Sequence, residues 1–71
     1  MIVYDPLWRT MKEKGFTTYT LRVKHGISNS TVQRLRKNMS VSTNTLSDLC
    51  TLLQCKLSDI AEYVESKEQQ A

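Results

Sequence analysis

Apolar residues recur along most of the chain at three- and four-residue intervals, the spacing that places side chains on one face of an α-helix. The runs with this pattern lie within residues 7–11, 19–23, 32–39, 46–53 and 57–64. The run at 46–53 is the most regular, and Ser42 or Thr43 is a good N-cap for it. No repeat or linker interrupts the runs. The pattern predicts a single all-α domain over residues 1–71, a compact five-helix bundle.

The two ends of the chain lack the helical pattern. Residues 1–4 are predicted to form an extended arm that either pairs as a strand with another chain or lies against the core. Asp5 and Pro6 suit the N-cap and first position of the first helix. Trp8 follows and is interpreted as core filler rather than as a ligand-stacking residue. Residues 66–71 contain no large apolar side chain and are predicted to fray.

Residues 18–37 predict a helix, a tight turn and a second helix. Gly26 stands where the first helix needs a left-handed residue to end, and Ile27 is predicted to point inward. Ser28 is a good N-cap for the second helix, as Thr17 or Thr18 is for the first. Two helices joined by a short turn containing glycine form a helix-turn-helix unit. This unit is the main functional signal in the sequence.

The second of these helices has two chemically different sides. At about 100° per residue, Val32, Leu35 and Met39 form the predicted buried stripe. The opposite side carries Ser30, Gln33, Arg34 and Lys37, with Asn29 in the first turn. Arginine can read guanine and Asn or Gln can read adenine, whereas a carboxylate would face phosphates. An ordinary solvated face is the alternative, but such a face would mix acidic and basic residues, and this one has no acid.

The formal net charge of +3 is unevenly distributed along the chain. Residues 9–37 contain eight basic residues and one acidic residue, whereas residues 38–71 contain two basic and five acidic residues. This asymmetry suits a polyanionic partner on one side of the molecule. Charge alone would also suit a membrane surface or an acidic protein.

The sequence offers little for catalysis or for ligand binding. His25 has no evident Ser or Cys partner, and no glycine loop that could cradle a phosphate occurs. Cys50 and Cys55 fit no zinc-ligand set and are interpreted as reduced, partly buried thiols. We therefore predict no enzymatic activity, cofactor, metal or small-molecule ligand. No apolar run reaches the roughly 20 residues of a membrane helix and no secretory signal is evident, so we expect a cytoplasmic protein with no membrane partner.

The chain resembles the Cro/CI-type (XRE-like) helix-turn-helix domain of phage repressors and small bacterial regulators. The residues that carry the resemblance are Thr18 and Leu21, Gly26-Ile27-Ser28, Ser30-Thr31-Val32, Leu35, Ser42, Thr45-Leu46, Leu49-Cys50, Leu53 and Leu57-Ser58-Asp59-Ile60. The match covers nearly all of residues 7–64 and implies a lambda-repressor-like fold. One departure is Arg22, four residues before the glycine, where the family usually has alanine; its side chain must extend outward.

The resemblance also implies a function and a set of contacts. It implies a sequence-specific, double-stranded DNA-binding transcriptional regulator, bacterial or phage-encoded, whose recognition helix at about 28–37 enters the major groove. The implied base-reading residues are Asn29, Ser30, Gln33 and Arg34. The implied phosphate-binding residues are Thr18, Tyr19, Ser28, Thr31, Lys37 and Asn38. Family members commonly bind palindromic operators as homodimers, with half-site centres roughly 34 Å apart.

Two other readings stay open at this point. A helix-turn-helix fold can serve as a protein-interaction module, such as an antitoxin or an anti-repressor partner, with DNA binding secondary or lost, because fold does not fix function. The acidic second half could then be the partner surface, or it could be the dimer surface. An RNA-binding role is less favoured, because the sequence lacks the exposed aromatic platform that single strands prefer.

Overall fold

Four helices and a two-stranded sheet make up the computed structural model, which describes residues 1–65. In chain order the elements are β1 (Ile2–Val3), α1 (Asp5–Lys14), α2 (Thr18–His25), α3 (Asn29–Arg36), α4 (Thr43–Leu53), a 3₁₀ turn (Leu57–Asp59) and β2 (Glu62–Tyr63). The first four predicted helices are confirmed. The predicted frayed tail at 66–71 lies outside the described residues.

Each helix contributes at least one aliphatic side chain to a common core. The fully buried members are Leu7, Leu21, Val32, Leu35, Leu49, Leu53 and Ile60. Trp8 is partly buried against this core, in agreement with its interpretation as a packing residue. Met39 does not join Val32 and Leu35: it is 51% exposed, because α3 ends at Arg36 and the backbone turns at Asn38 with φ +57°. The predicted buried stripe was therefore wrong at Met39.

The predicted fifth helix at 57–64 is wrong, and the fold is mostly helical rather than all-α. After the 3₁₀ turn, Ile60 enters the core and the chain extends as β2. β2 pairs with β1 in an antiparallel register that places Ile2 opposite Tyr63 and Val3 opposite Glu62. An eight-residue helix is marginal by itself, whereas β1 offers β-branched residues and free backbone groups to the returning segment. The amino-terminal arm thus pairs within its own chain.

The first helix begins one residue earlier than predicted. Tyr4 occupies the N-cap position of α1, Asp5 is the first helical residue and Pro6 the second. The side chain of Tyr4 makes no capping bond, but its carbonyl oxygen accepts a hydrogen bond from the Leu7 N–H at 3.0 Å. Burial of the Tyr4 side chain fixes the chain at this point. Asp5 still lies in the first turn, where a negative charge is favourable.

Candidate nucleic-acid interface

The predicted helix-turn-helix is present, with α2 and α3 joined through Gly26, Ile27 and Ser28. Gly26 ends α2 in the left-handed conformation, with φ +72°. The N–H of Ile27 donates to the Leu21 carbonyl at 3.0 Å, and the partly buried Ile27 side chain packs against the core. Ser28 then caps α3, since its hydroxyl accepts from the Thr31 N–H at 3.2 Å. These local bonds fix the angle between the two helices.

One side of α3 is buried and the other faces solvent. Val32 and Leu35 are in the core. Of the four predicted base-reading residues, Asn29, Ser30 and Arg34 are exposed and Gln33 is half-buried. All four lie on one eight-residue helix, and no part of the described chain covers Asn29, Ser30 or Arg34. The helix is thus oriented as the polar face of the sequence predicts.

Three hydroxyl groups cluster at the start of α3. Ser28 Oγ lies 2.9 Å from Thr31 Oγ1 and 3.3 Å from Ser30 Oγ. The Ser28 oxygen already accepts from a backbone N–H, and the two bonds within the cluster use two of the three hydroxyl protons, which leaves one proton to donate to an anion. Ser28 and Thr31 were predicted to contact phosphate, and their position at a helix N-terminus is compatible with that role.

The start of α2 lies beside the end of α3. Thr17, not Thr18, caps α2, and its hydroxyl accepts from the Thr20 N–H at 3.1 Å. Thr18 is half-buried, and its hydroxyl accepts a hydrogen bond from Arg36 Nη2 at 3.3 Å. Tyr19, the next predicted phosphate-binding residue, is largely exposed. The two predicted α2 residues are therefore close to the basic end of α3.

Arg36 is a candidate site residue that sequence reasoning missed. At about 100° per residue it falls between the buried stripe and the polar face of the helix, so the wheel assigns it to neither. Only the packing of α2 on α3 reveals that its guanidinium reaches Thr18 across the turn. A planar guanidinium with free donors is well suited to bind a phosphate.

Asn38 and Lys37 follow directly after α3. Lys37 is exposed, as a phosphate-binding residue requires. Asn38 is half-buried and already engaged, because its Oδ1 accepts from the Tyr4 N–H at 3.0 Å. Its amide nitrogen is the part of the side chain that stays available to donate.

The electrostatic character of this surface is uniform. No Asp or Glu occurs between Glu13 and Asp48, a stretch that includes α2, α3 and the turn between them. Arg22 and Lys24 on α2, with Arg34 and Arg36 on α3, are all exposed, and Arg22 extends outward as predicted. We call this exposed side of α2 and α3, with Lys37 and Asn38, the basic face. An anionic partner would meet no like charge on it.

Other chemistry is sparse in the described part of the chain. Residues 1–65 contain no group of three or more His, Cys, Asp or Glu side chains arranged to hold a metal ion. Both cysteines are free and partly buried. Within the same residues no helix has the length and apolar composition needed to cross a membrane.

Comparison with known proteins agrees with this architecture. Residues 6–66 match the family model of the Cro/C1-type HTH DNA-binding domain. The crystal structure of the transcriptional regulator VanUg is similar to this chain at 32% sequence identity and a TM-score of 0.84, over 92% of this chain and 87% of that chain. A search of curated proteins found no match. The chain therefore belongs to the Cro/C1-type helix-turn-helix DNA-binding domain family.

Proposed function

We propose that this helix-turn-helix regulator binds double-stranded DNA sequence-specifically, with α3 in the major groove, as a homodimer on a palindromic operator. The observation that carries the proposal is the basic face: Asn29, Ser30 and Arg34 are exposed on one helix, and no carboxylate lies between Glu13 and Asp48. Arg, Asn, Gln and Ser are the side chains that read base edges in the major groove.

The residues divide into two roles. Asn29, Ser30 and Arg34 contact base edges, with Gln33 reaching the same groove from its half-buried position. Phosphates on either side are bound by two groups of residues. These are Ser28, Thr31, Lys37 and Asn38 from α3 and its ends, and Thr18 and Tyr19 from the start of α2.

An apolar groove supports the homodimer. It has a volume of about 510 Å³ and is bordered by Ile2, Met39, Leu57 and Tyr63, each between 46% and 70% exposed. An exposed apolar surface bordered by polar residues often marks a protein–protein contact. Residues 66–71 have no large apolar side chain to place there.

A second copy of this chain is the occupant we propose. The groove is lined by Asn38 and Met39, which directly follow α3. A two-fold axis through the groove would therefore place two α3 helices at one side of the dimer, as adjacent half-sites of one DNA face require. Glu62 is the one ionisable carboxylate on its lining, so two copies would bring few like charges together.

Selection of bound sequences from a randomised duplex pool, at two salt concentrations, tests the proposal. We expect an enriched palindrome and an affinity that falls steeply with salt. Enrichment of a single half-site would contradict the homodimer only. Absence of any enrichment would contradict sequence-specific binding and favour the protein-interaction module.

A further inference from the structure

The end of α3 is held by a residue that lies far from it in the sequence. Asn38 adopts the left-handed conformation, and the Met39 N–H donates back to the Arg34 carbonyl at 2.8 Å. This closing bond is the usual way to end a helix with a left-handed residue. The left-handed residue is commonly glycine. An asparagine at this position can end the helix and also use its side chain in hydrogen bonds.

Tyr4 supplies that second role through two hydrogen bonds. Its N–H donates to Asn38 Oδ1 at 3.0 Å, and its hydroxyl donates to the Met39 carbonyl at 2.9 Å. Tyr4 is 4% exposed and belongs to the core, so its position is fixed by packing. The residue thus connects the junction of β1 and α1 to the last turn of α3.

The first of these bonds orients the Asn38 amide. Because the oxygen accepts from the Tyr4 N–H, the NH₂ group points away from that bond, and within residues 1–65 it donates to no other group. Lys37, beside it, is exposed and cationic. The Asn38 amide and the positive charge of Lys37 therefore both lie in the segment that ends α3.

We propose that Tyr4 is a positioning residue for DNA recognition: it fixes the end of α3 and directs the Asn38 amide at a phosphate. The inference rests on the proposed function. Ser28 fixes the start of α3, and Tyr4 fixes its end, so both ends of the recognition helix are set relative to the core. A helix held at both ends can place Arg34 in one register in the groove.

Three variants separate the two bonds. Tyr4→Phe keeps the buried ring and removes the bond to Met39. Asn38→Asp keeps an acceptor for the Tyr4 N–H and replaces the amide donors with a negative charge. Asn38→Gly keeps the left-handed backbone and removes the side chain. Gln54→Gly is the matched control, because Gln54 also ends a helix with positive φ, but on α4 and away from the basic face.

The probes are a single half-site of the duplex that the unchanged protein enriches from a randomised pool, called the enriched duplex below, and a shuffled duplex of the same composition. A half-site is used because Tyr4 and Asn38 also line the groove proposed for the second copy. We expect Tyr4→Phe to lower the preference for the enriched duplex about fivefold, with little effect on the shuffled one. Asn38→Asp should weaken binding to both duplexes about tenfold or more, because a carboxylate then faces the phosphates. Asn38→Gly should lower the preference for the enriched duplex as Tyr4→Phe does, and it should weaken binding to both duplexes by less than Asn38→Asp, because it removes the amide donors without adding a charge. Gln54→Gly should do neither.

Thermal melting of each variant separates positioning from simple stabilisation. A role confined to stability would lower the melting temperature and leave the ratio of the two dissociation constants unchanged well below it. If Tyr4→Phe and Asn38→Gly gave that result, and the unchanged protein still preferred its enriched duplex, the inference would be overturned and the proposed function would stand. Failure of the unchanged protein to enrich any duplex would instead overturn the proposed function.

Discussion

Arg36 on α3 and Thr18 at the start of α2 are joined by a hydrogen bond of 3.3 Å from the guanidinium to the hydroxyl. Both groups lie at the surface, so the bond itself adds little to stability. Its consequence is geometric, because it holds the guanidinium over the N-terminus of α2. Because Thr18 is the first residue of α2, the guanidinium donors lie beside the first-turn N–H groups of that helix, of which the Thr20 N–H already donates to Thr17.

This proximity predicts that Arg36 binds a phosphate of the DNA backbone. Arg36→Ala should weaken binding to enriched and shuffled duplexes alike. It should also reduce the salt slope, the steepness with which log K falls as log salt concentration rises, by about one unit. Arg36→Lys should recover the salt slope and only part of the affinity, because an ammonium keeps the charge without the fork of donors. Arg9→Ala is the matched control, because Arg9 is exposed on α1, outside the basic face. Equal losses for Arg9→Ala and Arg36→Ala would show that only net charge matters.

Arg34 and Lys37 are predicted to differ although both are exposed and basic. Arg34→Ala should relax the preference at one operator position and cost roughly 1–3 kcal/mol of binding to the enriched duplex. Lys37→Ala should weaken all sequences similarly and reduce the salt slope by about one unit. Binding titrations against single-position duplex variants make the comparison. If both variants weakened every duplex equally, the assignment of Arg34 to bases would be wrong.

The parts of the fold that were predictable depend on local signals. Gly26 and Ser28 act within a few residues of themselves, through a left-handed φ and a capping hydroxyl, and α4 follows directly from its apolar spacing. The basic face could also be predicted, because the two sides of one helix are fixed once Leu35 is buried. The capping residues and the periodic spacing of apolar residues were sufficient to predict these features.

The parts that were not predictable depend on residues distant in sequence. Residues 57–64 have helical spacing, and only the presence of Ile2 and Val3 as strand partners makes the extended form preferable. The contact between Arg36 and Thr18 depends in the same way on how α2 packs against α3. The residues adjacent to a side chain in the sequence do not show which distant residue it will contact. The hydrogen bond from the Tyr4 N–H to Asn38 was not predictable for the same reason.

Leu49 is predicted to be essential for stability. It is completely buried in the core on α4, so Leu49→Ala removes apolar contacts and leaves a cavity that the rigid surroundings fill only in part. We expect a loss of roughly 2–5 kcal/mol in the free energy of unfolding, measured by urea denaturation. Trp8→Ala should also destabilise the domain through lost packing. The control is Val23→Ala, at an exposed position of α2. A double variant with Ala at Trp8 and Leu49 that still folded fully would contradict the core described above.

Cys55 is predicted to react slowly while the protein is folded. Burial raises the pKa of the Cys55 thiol above its ordinary value, and the nearby Cys50 and Asp59 act in the same direction. The thiolate is the reactive form, so at about pH 8 a raised pKa means less thiolate than in the unfolded chain. Iodoacetamide labelling of a Cys50→Ser variant, with and without denaturant, measures this. Equal labelling rates in the two states would contradict the prediction, and the folded rate should rise further at higher pH.

The apolar groove yields the last prediction, which concerns self-association. If a second copy covers Leu57 and Tyr63, then Leu57→Ser should shift the protein toward monomer, because it places a hydroxyl in the centre of the interface. For self-association the matched control is Val23→Ser, since Val23 is similarly exposed but lies outside the groove. It is not a control for DNA binding, because the exposed side of α2 belongs to the basic face. Sedimentation equilibrium over a range of concentrations measures the dissociation constant of the dimer. Leu57→Ser should also reduce affinity for the full palindrome far more than for an isolated half-site, because the second half-site gains from the first only while the two copies are joined. If Leu57→Ser changed the dissociation constant of the dimer no more than Val23→Ser does, the dimer interface would lie outside this groove.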